Sequence, residues 1–489
     1  MSEKARLARH MVLSAIAHGA NLLPFALWFL AAERLGPERF GLFSYALAFA
    51  SVFEILADLG LRDYVVREVA RDRTRLDLAA RLLTWRLALV LVTVVCAALA
   101  FEVTRPTPAA RQLLWIMAPM VALRSLKHYL RGVLQSIGRF GVDTVITVAD
   151  RVVMVVAGLA ALFADGSLLA LALALLGARV LDILVSGITV RQVTGLRPRG
   201  GWGEIWHAQR EALPLGLFLM IVSAYTYADQ IMIAMLRGDA EVGLYTACYK
   251  IHEGFTMIPA ILSAPVLPAL AAAVDVNPAR AAELARRAVK YAVCAALGLA
   301  LVLGLAAREL LGLFYGAAYV GAAPAMIGLL AATTFTFSLW LLYQVLIATA
   351  RRAAMVRLVA FGLALNLTLN AIMIPRIGFV GAAWATLLGE GISVWVTAWT
   401  AGRALEGMHL AAGAFARPLG AAAVALAIGL GLRHLAQPAA LVAPVTGLAF
   451  VVLLVLTGAF DRSDREALRS LVRRPAAPVA NGTAPRVRR

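Results

Sequence analysis

The sequence predicts an all-α polytopic membrane protein of about fourteen transmembrane helices, two six-helix lobes related by an internal repeat plus two C-terminal helices. Three observations carry this expectation. First, the 489 residues are 62% hydrophobic, with a mean hydropathy of +0.82, too apolar for an ordinary water-soluble protein. Second, the chain repeats itself: Phe40-Gly41-Leu42-Phe43-Ser44-Tyr45 returns as Val242-Gly243-Leu244-Tyr245-Thr246-Ala247, and Gly36 and Gly238 precede the copies at one offset. Third, arginines gather in alternate connections between the apolar runs, as they do where loops stay on the cytoplasmic side.

Apolar runs of about 20 residues, the length that crosses a bilayer as a helix, follow one another along the chain. The first six lie near 11–32, 41–61, 83–103, 112–137, 143–164 and 167–190. The next six lie near 212–236, 243–270, 288–307, 321–348, 355–374 and 379–401, and two more near 414–432 and 439–460. Further repeat matches fix the duplicated unit at six spans. Leu130, Val133-Leu134 and Arg139 correspond to Leu342, Val345-Leu346 and Arg351, and Leu175-Leu176-Gly177 to Leu387-Leu388-Gly389. An even number of spans makes both copies run in the same direction, related by an axis along the membrane normal. The predicted organisation is a lobe over 1–200, a second over 201–405, two extra helices over 406–460 and a cytoplasmic tail over 461–489. The tail's Pro/Ala/Arg-rich end is expected to be disordered. Duplication of this kind points to a transporter with its site between the copies.

The formal charge of +18 reports topology, not nucleic-acid binding. Lys4, Arg6 and Arg9 precede span 1, and Arg62, Arg67, Arg71, Arg73, Arg75 and Arg81 follow span 2. Similar groups stand after spans 6, 8, 10 and 14, whereas the other connections carry one or two basic residues each and Asp165 stands with none. Both termini are therefore expected in the cytoplasm, with anionic lipid headgroups beside the arginines. The first apolar run is long and continues into the repeat, so it reads as a retained helix. Cys96, Cys248 and Cys294 all fall inside spans and show no metal-ligand spacing.

Ionisable residues at membrane depth are costly and mark function or pairing. Span 4 holds Arg124, Lys127, His128 and Arg131, whose i, i+3, i+4, i+7 spacing places them on one helical face. The leading expectation is a cationic wall of a water-filled cavity that attracts an anion, with guanidinium suited to phosphate. The alternative is that Lys127 and Arg131 snorkel while Arg124 pairs with a carboxylate. In the second copy these positions are Thr336, Leu339, Trp340 and Tyr343, and Arg151 and Arg179 become Leu363 and Gly391. A charged wall facing a greasy one suits an amphiphile with an anionic head and a lipid tail. Asp150-Arg151 and Arg179 with Asp182 could be local ion pairs. Asp229 and Lys250 could pair across a hairpin, or Asp229 could hold H⁺ or Na⁺; Glu253, Glu54, Asp58 and Glu390 are further candidates for ion coupling. Asn366 and Asn370 read as hydrogen-bonding glue between helices. No phosphate-binding GxxxxGK[ST] loop, HExxH motif or nucleophile–base pair is present in the sequence, so neither an enzyme nor a cofactor is expected beyond a coupling ion.

The hairpin Leu35-Gly36 with Phe40–Tyr45, the segment Asp58-Leu59-Gly60-Leu61-Arg62, Asp229-Gln230-Ile231-Met232-Ile233 before Val242–Tyr245, and Gly378-Phe379-Val380-Gly381-Ala382-Ala383 resemble one known family. These are the bacterial polysaccharide (O-antigen-type) flippases of the multidrug/oligosaccharidyl-lipid/polysaccharide exporter superfamily, and the resemblance covers about residues 10–460. It implies movement of undecaprenyl-diphosphate-linked sugars from the inner to the outer leaflet of the cytoplasmic membrane by alternating access. It also implies ion-gradient or membrane-potential coupling, cationic cavity residues around the diphosphate, and polysaccharide polymerase and chain-length machinery as partners. Rival readings are a peptidoglycan-precursor flippase, a multidrug cation antiporter, in which acidic residues should dominate the cavity, and a membrane glycosyltransferase, which should carry a large outer catalytic loop.

Overall fold

The computed structural model describes residues 19–20, 22–104, 106–201, 203–408 and 412–459. Lys4, Arg6, Arg9, the first part of span 1 and the tail from 460 lie outside them. Every regular element among the described residues is helical. They are α1 (Leu23–Phe53), α2 (Leu61–Arg71), α3 (Leu76–Val103), α4 (Pro108–Ser136), α5 (Phe140–Ala164), α6 (Leu168–Thr194) and α7 (Gly203–Arg237). There follow α8 (Asp239–Val274), α9 (Pro278–Leu305), α10 (Ala307–Tyr315), α11 (Ala323–Ala348), α12 (Arg352–Ala404), α13 (Ala412–His434) and α14 (Ala439–Leu456).

Ten stretches are long and apolar enough to cross a membrane, and two of these, containing α1 and α12, are hairpins of two spans each. Helix α1 breaks at Gly36 (φ 74°, ψ 169°) before Pro37, and α12 at Ile377-Gly378 (φ 63° at the glycine). Two further long helices, α4 with its Arg124, Lys127 and Arg131 and the 36-residue α8, bring the crossings to fourteen. Gly238 (φ 93°, ψ 176°) makes the same turn between α7 and α8 that Gly36 makes inside α1. The repeat extends to other turns. Arg139 (φ −85°, ψ 46°) opens α5 and Arg351 (φ −84°, ψ 45°) opens α12, each after a left-handed residue, Gly138 or Ala350. Their amides donate to Leu134 O at 2.9 Å and Leu346 O at 2.8 Å, so the two turns are copies in geometry as well as sequence.

The glycine motif explains how the copies meet. A Cβ on Gly41 would lie 1.7 Å from the carbonyl oxygen of Asp239, and one on Gly243 would lie 1.9 Å from that of Pro37. Only hydrogen allows the two helices this approach. Around it one apolar core draws residues from both halves, from Phe40 and Met117 to Tyr245, Leu329 and Ala382. At the Arg-rich end the packing differs. There Leu61, Val65, Tyr129 and Val133 form one core and Val289, Phe337, Leu342 and Val394 another. The lobes are thus welded at one end. At the Arg-rich end α7 bridges them: its Ile205, Ala208 and Ala212 join the first of these cores, Glu211 pairs with Arg67, and Leu59 (φ 45°) and Gly60 (φ 80°) abut it at Ala212 and Gly216.

Two helices went unforeseen in the sequence. The basic connection after span 2 folds into α2, whose Leu61, Tyr64, Val65 and Val69 are buried beneath exposed arginines. Beyond it the Thr74 amide and hydroxyl donate to Asp72 and hold its carboxyl below the usual carboxylate range. At the opposite end α10 lies against α1, with Phe314 stacked on Phe29 and the Tyr319 hydroxyl, just beyond α10, donating to Ala32 O at 3.0 Å. The connection between α9 and α11, residues 306–322, is therefore folded and packed. Helices α13 and α14 pack together and onto α9 through Cys294, Leu301, Ala425 and Phe450.

Candidate functional site: a charged cavity between the lobes

A cavity of about 490 Å³ lies between the copies. Pro24, Phe25 and Trp28 from the first half of α1 form its apolar side, with Leu47, Met120, Met154 and Leu175. Repeat partners both line it, Ser44 with Thr246 and Ala48 with Lys250. Arg124 (α4), Arg151 (α5), Arg179 (α6) and Lys250 (α8) supply positive charge.

Each cation has a definite setting. The Arg124 Nε donates to Glu54 Oε1 at 2.9 Å, its Nη2 to Glu54 Oε2, and Nη2 also reaches Ser51 Oγ at 3.3 Å. Lys127 is fully buried, with Nζ 3.0 Å from Asp150 and 3.8 Å from Asp182. Arg131 pairs with Asp182 at 2.7 Å, and Arg179 bridges Asp150 at 3.2 Å and Asp182 at 3.4 Å. Arg151 lies 3.4 Å from Asp150. Five basic side chains thus share three carboxylates, Glu54, Asp150 and Asp182, leaving an excess of positive charge in the first lobe. An excess of buried charge is costly alone and favours an anion.

The structure redistributes the residues singled out from sequence. Arg124, Arg151 and Arg179 come together at the cavity, as does Lys250 with Glu253. Lys127 and Arg131 do not line it; they turn toward α5 and α6, because Asp150 and Asp182 offer compensation that water in the cavity would give less completely. They are a support for the cavity wall, and the expected bare cationic face of span 4 is a paired one. His128 is exposed and stands apart from the lining residues. The greasy second wall is also different. Leu339 is buried in the second lobe, Tyr343 packs on that core, and Thr336 donates to Glu390. Tyr227, Gln230, Thr246 and Thr256 take the place expected for them.

Among the coupling candidates, Lys250 Nζ pairs with Glu253 at 2.6 Å, so the hairpin pair with Asp229 does not form. Asp229 is buried and receives hydrogen bonds from Asn370 Nδ2 (2.6 Å), Thr386 Oγ1 (3.1 Å) and the Tyr245 hydroxyl. Asn370 Nδ2 also donates to Asn366 Oδ1 at 3.0 Å, while Asn370 Oδ1 has no partner. No basic side chain stands within ion-pair distance of Asp229 among the described residues. Carboxylate, amide and hydroxyl oxygens with one amide oxygen orphaned fit a small hard cation or a proton. Asp58 is removed from this role: it binds the fully buried Arg86 and accepts from the Arg62 amide at 3.1 Å, away from the cavity. Arg86, missed in the sequence, also donates to Ser125 O at 2.9 Å and covers the Tyr129 ring at 4.8 Å. Its signal was available as a lone arginine early in span 3.

Two repeated lobes closing on a charged cavity within the membrane define a transporter fold. The chain belongs to the polysaccharide biosynthesis protein family, whose description matches residues 7–273. A lipid II flippase MurJ in an inward closed conformation has a similar structure, with TM-score 0.72 and 12% identity over 95% of this chain and 100% of that one. A multidrug resistance MATE family transporter of the MOP superfamily, inward-facing, matches with TM-score 0.64 and 16% identity over 81% of this chain and 97% of its own. A MOP superfamily transporter from Pyrococcus furiosus, described as having a binding pocket of reverse polarity, matches at TM-score 0.56 and 16% identity, covering 81% and 95%. A comparison with curated proteins returns no match.

Proposed function

We propose that this protein is a non-enzymatic flippase that carries diphosphate-linked lipid oligosaccharides from the inner to the outer leaflet by alternating access. The observation that carries the proposal is the excess of guanidinium over carboxylate at a cavity bounded on one side by apolar α1. Diphosphate would engage Arg124, Arg179 and Arg151, which present planar donors suited to phosphate oxygens. Sugars would meet Tyr227, Gln230, Thr246 and Thr256, and the lipid would run along Phe25 and Trp28 toward the bilayer. The Arg-rich end is the cytoplasmic side in this reading, and the membrane is the bacterial cytoplasmic membrane.

The packing supports a two-state cycle. A core shared by both halves at one end, with two distinct cores linked through α7 at the other, suits rocking of two lobes about their shared end. The Gly41–Gly243 contact is the outer gate and the Leu59-Gly60 joint with α7 part of the inner one. Asp229 with Asn366, Asn370 and Thr386 is the proposed H⁺ or Na⁺ site, placed so that α7 and α12 move with ion binding. The sugar chain is proposed to be an O-antigen-type polysaccharide unit, handed to polymerase and chain-length machinery. The family supports this cargo over a peptidoglycan precursor, and the basic cavity argues against a multidrug cation. Flipping of a fluorescent polyprenyl-diphosphate disaccharide in proteoliposomes tests the proposal. Transport that ignores the diphosphate, or glycosyl transfer by the purified protein, would overturn it.

A further inference from the structure

The Arg124–Glu54 pair has the geometry of a bound phosphate. Both arms of the guanidinium fork are used, Nε to one carboxylate oxygen and Nη2 to the other. Phosphate oxygens would take that same fork, so carboxylate and phosphate compete for it. Glu54 is also well placed to leave and return. It begins the 3-10 turn Glu54–Ala57 that ends α1, and its side chain remains partly accessible at 22%. Its neighbours are held independently of it: Ser51 O accepts from Ser223 Oγ at 3.0 Å, and Asp58 holds Arg86. Releasing Arg124 therefore does not require α1 to unfold.

We propose that Glu54 is a specificity-determining residue, a displaceable counter-ion that sets how much negative charge a ligand needs to occupy Arg124. This rests on the proposed lipid-diphosphate site. A bilayer surrounds the protein with monoanionic phosphodiester headgroups, and an arginine left open would bind them. Glu54 cancels that attraction. A diphosphate carries more charge and reaches Arg179 and Arg151 as well, so it displaces the carboxylate where a single phosphodiester does not.

The test is binding of farnesyl diphosphate and farnesyl monophosphate to the full chain in vesicles with and without phosphatidylglycerol. In wild-type protein the diphosphate binds in preference, and phosphatidylglycerol competes weakly. E54Q removes the competing charge, so diphosphate affinity rises about fivefold and preference over monophosphate falls about tenfold, with phosphatidylglycerol now an effective competitor. E54D keeps the charge but shortens its reach, and its preference falls part-way. Wild-type affinity and preference in both E54Q and E54D overturn the proposal. R124A separates the two layers: loss of diphosphate binding in R124A with unchanged E54Q refutes the role of Glu54 alone. Diphosphate binding intact in R124A refutes the underlying site.

Discussion

Arg124 and Lys127 are three residues apart on one helix and face different chemistry. Arg124 opens to the cavity, so Arg124→Ala should lower flipping about tenfold or more, chiefly through weaker substrate binding, with membrane level near wild type. Lys127 is sealed between Asp150 and Asp182. Its removal leaves Asp150 without its nearest donor, though Arg131, Arg151 and Arg179 still face the two carboxylates, at a cost of about 1–3 kcal/mol, so Lys127→Ala should reduce the amount of folded protein and its melting temperature. Measuring transport per folded molecule distinguishes the two effects. Sequence spacing put these cations on one face correctly in geometry, yet could not say what faced them. Their partners, Glu54 and Asp150, sit 70 and 23 residues away, on other elements, and such pairing leaves no local trace.

Among the elements, the glycine-marked turns and contacts were the most legible and the amphipathic connections the least. Gly41 and Gly243 appeared as a repeated motif because each must admit the other's backbone. Gly41→Ala or Gly243→Ala should prop the outer gate apart, seen as increased labelling of a cysteine placed in the cavity by an impermeant outside reagent. Unchanged labelling would deny these glycines a gating role. The copied turn offers a stability test. Ala350 occupies the left-handed conformation that Gly138 takes in the other lobe, so Ala350→Gly should stabilise by roughly 1 kcal/mol, read as a raised melting temperature. Helix α2 escaped notice because arginines dominate its composition, although its buried Leu61, Tyr64, Val65 and Val69 form an apolar face. Helix α10 was hidden because a short apolar segment beside a longer span reads as that span's extension.

For the whole molecule, fourteen spans and two copies were readable because hydropathy and duplication are properties of the chain itself. The cavity was not, since it depends on where α1, α4–α8 converge. The duplication kept the packing residues and changed the buried charge: the first lobe holds Arg124, Lys127, Arg131, Arg151 and Arg179, while the second buries Asp229 and Glu390 without basic partners among the described residues. Anion attraction in one lobe and cation attraction in the other give a physical basis for coupled transport. Asp229→Asn should make flipping insensitive to the H⁺ or Na⁺ gradient and slow it. The central claim is that the cavity recognises a lipid through its diphosphate. Its most direct measurement compares flipping of two fluorescent lipids bearing the same sugar, one through a diphosphate and one through an uncharged linkage, in vesicles containing wild-type protein or Arg124→Ala. The account predicts rapid flipping only of the diphosphate lipid by wild-type protein, with that advantage largely lost in the variant. Equal rates for both lipids, or a diphosphate advantage unaffected by Arg124→Ala, would contradict it.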